Sequence, residues 1–415
     1  MNFLKNFTLL MIMLTILVAC GKTVEDADKY TFSIENIAIP DDVSIVGLGE
    51  ATHGNVEFQD LRKDVFQVLV EKEDIRAFVI EGDFGGAQVV DSYIAGDGGT
   101  AEEAINALDF DIYKTEQMLN LVEWMHDYNE SVDIGEKVRF YGNDMQRYDE
   151  SKASLLAYFE LVDHEAAQNY EEKLKAATND NLYDLTEAEL KNIDESIVDI
   201  KDDLEKNADK YIETLSESMY ETALQHANVL GQRVDLSLHE DEYANKRDQY
   251  LAENLEWIKD FVEPQGHDKV FVTGHNGHIE KTSAAFGYKS MGDYLDETFG
   301  DSYFAIGTES ARNMFLADNG DGERETFTVK NNSSLTKAFG NVDADRFYVD
   351  FEQAETNEDL DDIISSKQKM TNIGDDFRSW YKISKFFYTN KMVPNEAYDG
   401  LIIVDEATPT EIIEN

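Results

Sequence analysis

The chain has 415 residues, 86 Asp and Glu against 36 Lys and Arg, a formal net charge of −50, and 42% hydrophobic and 11% aromatic residues. That apolar content can bury a core, which excludes a disordered chain, and a surface of carboxylates repels phosphate backbones, which argues against nucleic acid as a partner. The length fits one large domain or two.

Lys5 precedes an apolar run from Phe7 to Val18, which closes in Leu17-Val18-Ala19-Cys20. The run is shorter than the roughly 20 apolar residues of a bilayer span. Its plan is that of a secretory signal: a basic start, an apolar middle, then small residues before a cut. The ending resembles the bacterial lipobox. Residues 1–19 are therefore expected to be a lipoprotein signal peptide and Cys20 the lipidated residue. The mature protein is then extracytoplasmic and touches a membrane only through that anchor. Cys20 is the only cysteine, so disulfides and a thiol nucleophile are excluded. Residues 20–42 read as a short acidic tether.

From there, runs rich in Val, Ile, Phe and Tyr, closed by Gly, Asn or an acidic residue, predict strands at 43–48, 76–81, 138–142, 269–273, 303–306, 346–351 and 401–404. Between the early ones, Phe58, Leu61, Val65, Val68 and Leu69 recur at three- and four-residue steps, predicting an amphipathic helix over 55–72. Residues 115–128 behave in the same way. Strands alternating with helices imply parallel pairing. Residues 149–262 hold no Pro and a single Gly, Gly231, and keep a helical apolar spacing. The fold class expected is α/β: a mostly parallel central sheet flanked by helices, a long helical insertion over 149–262, and a small α+β region near the C-terminus. The core is then 43–148 together with 263–415. Asp318 to Glu323 is acidic and Gly-rich but out of EF-hand order, and reads as a hairpin turn.

In an open parallel sheet, ligands bind beyond the carboxyl ends of the strands. Those ends are followed by Gly49-Glu50-Ala51-Thr52-His53-Gly54, Glu81-Gly82-Asp83, Asn143-Asp144, Gly274-His275-Asn276-Gly277-His278 and Thr308-Glu309. Polar, titratable groups thus collect along one edge. An imidazole titrates near neutrality, so His53 can take a proton from water. Glu50 stands close enough in sequence to orient it, and the flanking glycines suit a tight strand-to-helix turn. The bland alternative is a Thr52 helix cap beside a hydrogen-bonded histidine. Arg62 could reach a substrate oxygen or Glu81, or could sit in a surface salt bridge. Glu81, ending a buried strand, is either ion-paired with an Arg or a second proton-handling group. His275 and His278 either both face the crevice or split into one buried and one exposed ring. His53, His275, His278, Glu50 and Glu81 also make a conceivable donor set for zinc or iron. Neither H-E-x-x-H, G-x-S-x-G, Walker A nor G-x-G-x-x-G is present.

Gly49 to Gly54, Arg62, the strand ending in Glu81, Tyr141 to Gln146, Arg247-Asp248 with Ala252-Glu253-Asn254, Val272 to His278, Met291 to Leu295 and Tyr398 to Thr408 together resemble the erythromycin esterase family. The similarity runs from about Val43 to Pro409. It implies a carboxylic ester hydrolase that opens the lactone of macrolide antibiotics without a metal or other cofactor, with His53 as general base on water. The same resemblance makes Glu50, Glu81, His275 and His278 catalytic neighbours. Arg62, Arg247 and Asp144 then bind substrate, a small-molecule ester or lactone. The alternative from another class is a lipid-anchored haem- or metal-binding protein that uses His275 or His278.

Overall fold

A computed structural model describes residues 23–413. The expected signal peptide and Cys20 lie outside the described residues. Among the described residues ten strands are formed: β1 (Ile45–Glu50), β2 (Ala77–Asp83), β3 (Arg139–Asp144), β4 (Val270–His275), β5 (Tyr303–Asp318), β6 (Arg324–Lys330), β7 (Arg346–Asp350), β8 (Gln368–Thr371), β9 (Thr389–Met392) and β10 (Gly400–Ala407). Eight of them make one sheet in the order β3-β2-β4-β1-β5-β10-β7, with β6 paired to β5. The run from β3 to β10 is parallel, while β7 and β6 add antiparallel pairs. β8 and β9 form a separate antiparallel pair near the C-terminus.

The strands are buried on both faces because alternate side chains enter opposite cores. On β2, Phe78 and Ile80 join the core that faces α1 (Val56–Lys72), α2 (Phe84–Ala95), α3 (Ala101–Ala107) and α4 (Glu116–Ser131). Ala77 and Val79 join the other core. The apolar stripe read from the sequence is the one α1 buries: Phe58, Leu61, Val65 and Leu69, each worth about 1.5–3 kcal/mol when fully covered. Phe66 adds a ring stacked 5.7 Å from Phe271 of β4.

Residues 149–262 form α5 (Asp149–Val162), α6 (His164–Leu174), α7 (Glu187–Lys206), α8 (Ala208–Thr214), α9 (Glu217–Leu238) and α10 (Tyr243–Val262). α5 to α9 enclose a core of their own. α10 instead packs Leu251, Leu255, Ile258 and Val262 into the sheet's core, which brings Arg247 and Asp248 to the sheet edge. Two short helices follow β4, α11 (Asn276–Ile279) and α12 (Met291–Phe299).

Two expectations change. The stretch read as a tether is folded from Val24 on: Val24, Ala27, Ile34, Ile37 and Ile39 are buried, and Phe32 exchanges two 2.8 Å backbone hydrogen bonds with Tyr348. Its apolar residues, spread among acidic ones, have the sheet's rim to cover. The strand expected to stop at Ile306 continues to Asp318. Thr308 and Glu309 are therefore interior positions, and Glu309 is satisfied by Thr371, Asn331 and the Ser310 N–H. The turn at 319–323 does connect a hairpin, β5 to β6. Among the described residues no helix is long and apolar enough to cross a membrane.

Candidate active site

Sheet order, not chain order, assembles the cluster. With β3-β2-β4-β1 adjacent, the carboxyl ends set Asp144, Glu81, His275 and Glu50 side by side, and Glu50 lies in register with His275. Four segments far apart in sequence thus meet at one edge, where a parallel sheet presents its crevice.

Two charge systems meet there. In the first, Glu50 Oε1 lies 2.5 Å from His53 Nδ1, and Arg62 Nη2 donates to both Glu50 oxygens at 2.8 and 2.7 Å. Burial alone would pull the His53 pKa down, but the hydrogen bond and charge of Glu50, with Glu81 and Asp375 behind it, raise it above the ordinary imidazole value of 6.5. Burial opposes the Glu50 charge, yet Arg62 and His53 hold its carboxyl below the usual range. A carboxylate on Nδ1 fixes the tautomer that leaves Nε2 free to accept a proton.

In the second, Arg247 Nη2 bridges Glu81 Oε1 at 2.8 Å and Asp144 Oδ2 at 2.5 Å. His278 lies between Asp248, 2.7 Å from Nδ1, and Glu81, 3.2 Å from Nε2. Burial works against a charged ring, but Asp248 and Glu81 overcome it and push the His278 pKa up to about 10, so the ring is an imidazolium at neutral pH. Glu81 is likewise held well below the carboxylate range, against its burial, by His278 and Arg247. Its second oxygen accepts the His275 backbone N–H at 2.7 Å.

His275 lies between the two systems. Its ring centroid is 5.4 Å from that of His53 and 6.3 Å from that of His278. Its Nδ1 accepts the Gly277 N–H at 3.2 Å, so the ring proton sits on Nε2, a buried atom with no protein partner. Burial first, then the neighbouring His53 and His278, pulls its pKa down to about 3. The ring is neutral and offers one bare N–H.

All the expected residues except Cys20 therefore fall in one cluster, with changed tasks for some. Arg62 is 3% exposed and serves Glu50, not Glu81 or solvent. Asp144 is fully buried behind Arg247, and both oxygens of Glu81 are occupied by protein donors. These three hold the site's shape. The Thr52 cap does not form: α1 starts at Val56 with Asn55 in the N-cap position, and the Thr52 hydroxyl accepts from Gly54 N–H. Gly49 and Gly54 have no positive φ. They are needed for close approach, since a Cβ at Gly49 would stand 2.2 Å from Asn276 Oδ1 and one at Gly54 1.8 Å from Leu316 O. Sequence reasoning gave no role to Asp248, to Tyr113 beneath the Arg62 guanidinium, or to Phe286 against His275 and His278. Asp248 follows Arg247 directly and was the one signal within reach.

His53 and His278 are turned to carboxylates and His275 Nδ1 to the Gly277 N–H. Among the described residues the one group whose donor atoms converge to within 4.8 Å is His126, Asp127 and Glu130 on α4. No member of the cluster is more than 8% exposed, apart from Arg247, whose side chain is 15% exposed. Clefts of about 740, 920 and 530 Å³ open elsewhere on the surface and none is lined by these residues.

The parallel sheet thus carries a carboxylate-braced imidazole at its carboxyl edge. The chain belongs to the erythromycin esterase family, whose model matches residues 70–407. It is thus a hydrolase of the erythromycin esterase type, acting on esters. The matched segment starts after the loop that carries Glu50 and His53. Erythromycin esterase type II of Escherichia coli is 27% identical over 304 residues, 65% of this chain and 69% of that protein. The Bacillus subtilis protein YbfO, named as a hydrolase, is 23% identical over 89% of this chain and 85% of its own. Among solved structures, a Bacillus cereus protein superposes with a TM-score of 0.79 at 24% identity, covering 93% of this chain and 97% of that one. A histidine-to-asparagine mutant of the erythromycin esterase EreC, in its open conformation, has a TM-score of 0.66 at 15% identity, covering 90% and 93%. These structures share the fold.

Proposed function

We propose that the cluster hydrolyses the lactone of a macrolide, or a related carboxylic ester, with water activated by His53. The Glu50–His53 pair at 2.5 Å carries this reading. Neutral His53 gives its Nδ1–H to Glu50 and takes a proton from water at Nε2 as the oxygen adds to the ester carbonyl. The carbonyl π pair moves onto oxygen, and the bare Nε2–H of His275 meets that oxyanion. Collapse breaks the acyl–oxygen bond, and the new imidazolium of His53 returns its proton to the departing alkoxide. His275 stays neutral throughout and donates a hydrogen bond only. His278 is clamped by two carboxylates and supports Glu81, not the leaving group. In a site this dry, each such interaction weighs more than it does in water.

The macrolide is supported by the named activity of the Escherichia coli relative and by the charge of −50, which draws a cationic amino sugar. Incubation with macrolides and simpler lactones, read by mass spectrometry, is expected to add one water to a macrolide. No mass gain on any macrolide, with gain on another ester, discards the antibiotic and keeps the chemistry. His275→Phe is expected to lower kcat about 10²–10³-fold with KM little changed, as for loss of one oxyanion donor. A kcat within twofold of the parent removes His275 from that role. The Cys20 anchor and an extracytoplasmic place remain part of the proposal, checked by metabolic labelling with a fatty acid in the parent and in Cys20→Ser.

A further inference from the structure

Of the nine large apolar side chains left exposed among the described residues, four fall within eight positions: Trp380 at 48%, Ile383 at 83%, Phe386 at 80% and Phe387 at 42%. They stand on a firm base. Phe377 and Tyr388, at either side, enter a small core with Phe315 and Phe327 from the β5–β6 hairpin. Trp380 meets Phe387 ring to ring at 4.8 Å, and Phe387 stacks on Tyr381 at 5.7 Å. The apolar side chains are thus held outward, not loosely collapsed.

The charge around them runs against the rest of the chain. Between positions 367 and 391 six cations, Lys367, Lys369, Arg378, Lys382, Lys385 and Lys391, stand against two carboxylates, Asp375 and Asp376, although acidic residues outnumber basic ones more than twofold overall. Among the described residues none of these six has a carboxylate oxygen within 4.0 Å. Lys385 also feels Lys369 and Lys337, and after burial their repulsion lowers its pKa. Cations outnumber acids over 378–391, while Asp318, Asp375 and Asp376 lie together at the Phe377 end of the stretch.

We propose that this face, from Arg378 to Tyr388, docks on an anionic lipid bilayer. Hydrocarbon accounts for Ile383 and Phe386, the interfacial zone for Trp380 and Tyr381, and anionic headgroups for the unpaired lysines. A second copy of the chain fits less well, because a two-fold contact would set the lysines against their own images. The large negative charge elsewhere does not forbid docking: at physiological ionic strength fields fade over about 8 Å, so the groups in contact decide. Upstream of this face, Ile373 N–H donates to Ala51 O at 3.1 Å. The inference stands apart from the ester chemistry and from the Cys20 anchor.

The test uses the full chain with Cys20→Ser and vesicles of phosphatidylglycerol or phosphatidylcholine with brominated acyl chains, which quench tryptophan only at contact. Trp380→Phe supplies the background of the other two tryptophans. Expected is quenching of Trp380 by the anionic vesicles. Lys382→Gln with Lys385→Gln should weaken lipid affinity on the order of tenfold, and Ile383→Ser with Phe386→Ser should abolish quenching while circular dichroism stays unchanged. Unquenched Trp380 on anionic vesicles overturns the proposal. So does equal quenching on neutral ones, or a dimer in sedimentation that Ile383→Ser with Phe386→Ser breaks while vesicles have no effect.

Discussion

His53→Ala is expected to lower kcat/KM about 10²–10⁴-fold, the range a positioned general base supplies, with the fold intact. The ring makes one side-chain hydrogen bond, to Glu50, and Arg62 still neutralises that carboxylate in the variant. No buried charge is therefore stranded, and the thermal midpoint should move little. The structural and chemical roles separate cleanly at this position, so steady-state rates on any turned-over ester, beside a melting curve, are sufficient. Loss of activity together with loss of fold would instead make His53 a packing residue.

Arg247→Met is expected to do the reverse, with stability as the larger effect. One guanidinium neutralises Glu81 and Asp144 at once, and its removal leaves two buried carboxylates with His278 as their nearest cation. Breaking a buried pair costs about 3–5 kcal/mol, which urea denaturation reads as a lower midpoint at unchanged slope. Activity should fall as well, because Glu81 holds the His275 backbone N–H and so the bare Nε2–H above it. Arg247→Lys should recover part of the stability, since an ammonium supplies the charge but not the fork that spans both carboxylates. A loss under 1 kcal/mol for Arg247→Met would contradict the bridging role.

The strands and α1 were legible because burial on two faces leaves a plain signal: continuous β-branched and aromatic runs, and an apolar stripe at helical spacing. The strand-end rule then pointed to Glu50, His53, Glu81, Asp144 and His275 without any contact in view. What it could not supply was sheet order. That β4 inserts between β2 and β1 is set by tertiary packing, and it turns Glu81 from a partner of Arg62 into the holder of the His275 loop. The first turn of α2 carried no signal of its own: Gly85 and Gly86 there are each pressed on backbone, where a Cβ would stand 2.2 Å from Ser151 N and Ala107 O respectively. β8 and β9 are short, half-polar strands that pair only with each other, too brief for a period of two to stand out.

The central claim is that neutral His53, its basicity raised by Glu50, activates water. A base works only when unprotonated, so kcat/KM should fall as pH drops through a His53 pKa lying above 6.5. In Glu50→Gln the group that raises that pKa is gone while burial still lowers it. The acid limb should then move to lower pH as the plateau rate declines. The pH dependence of kcat/KM for the parent and Glu50→Gln is the most direct measurement. A limb above 6.5 that shifts downward is the predicted result, and a limb at the same pH in both proteins would contradict it.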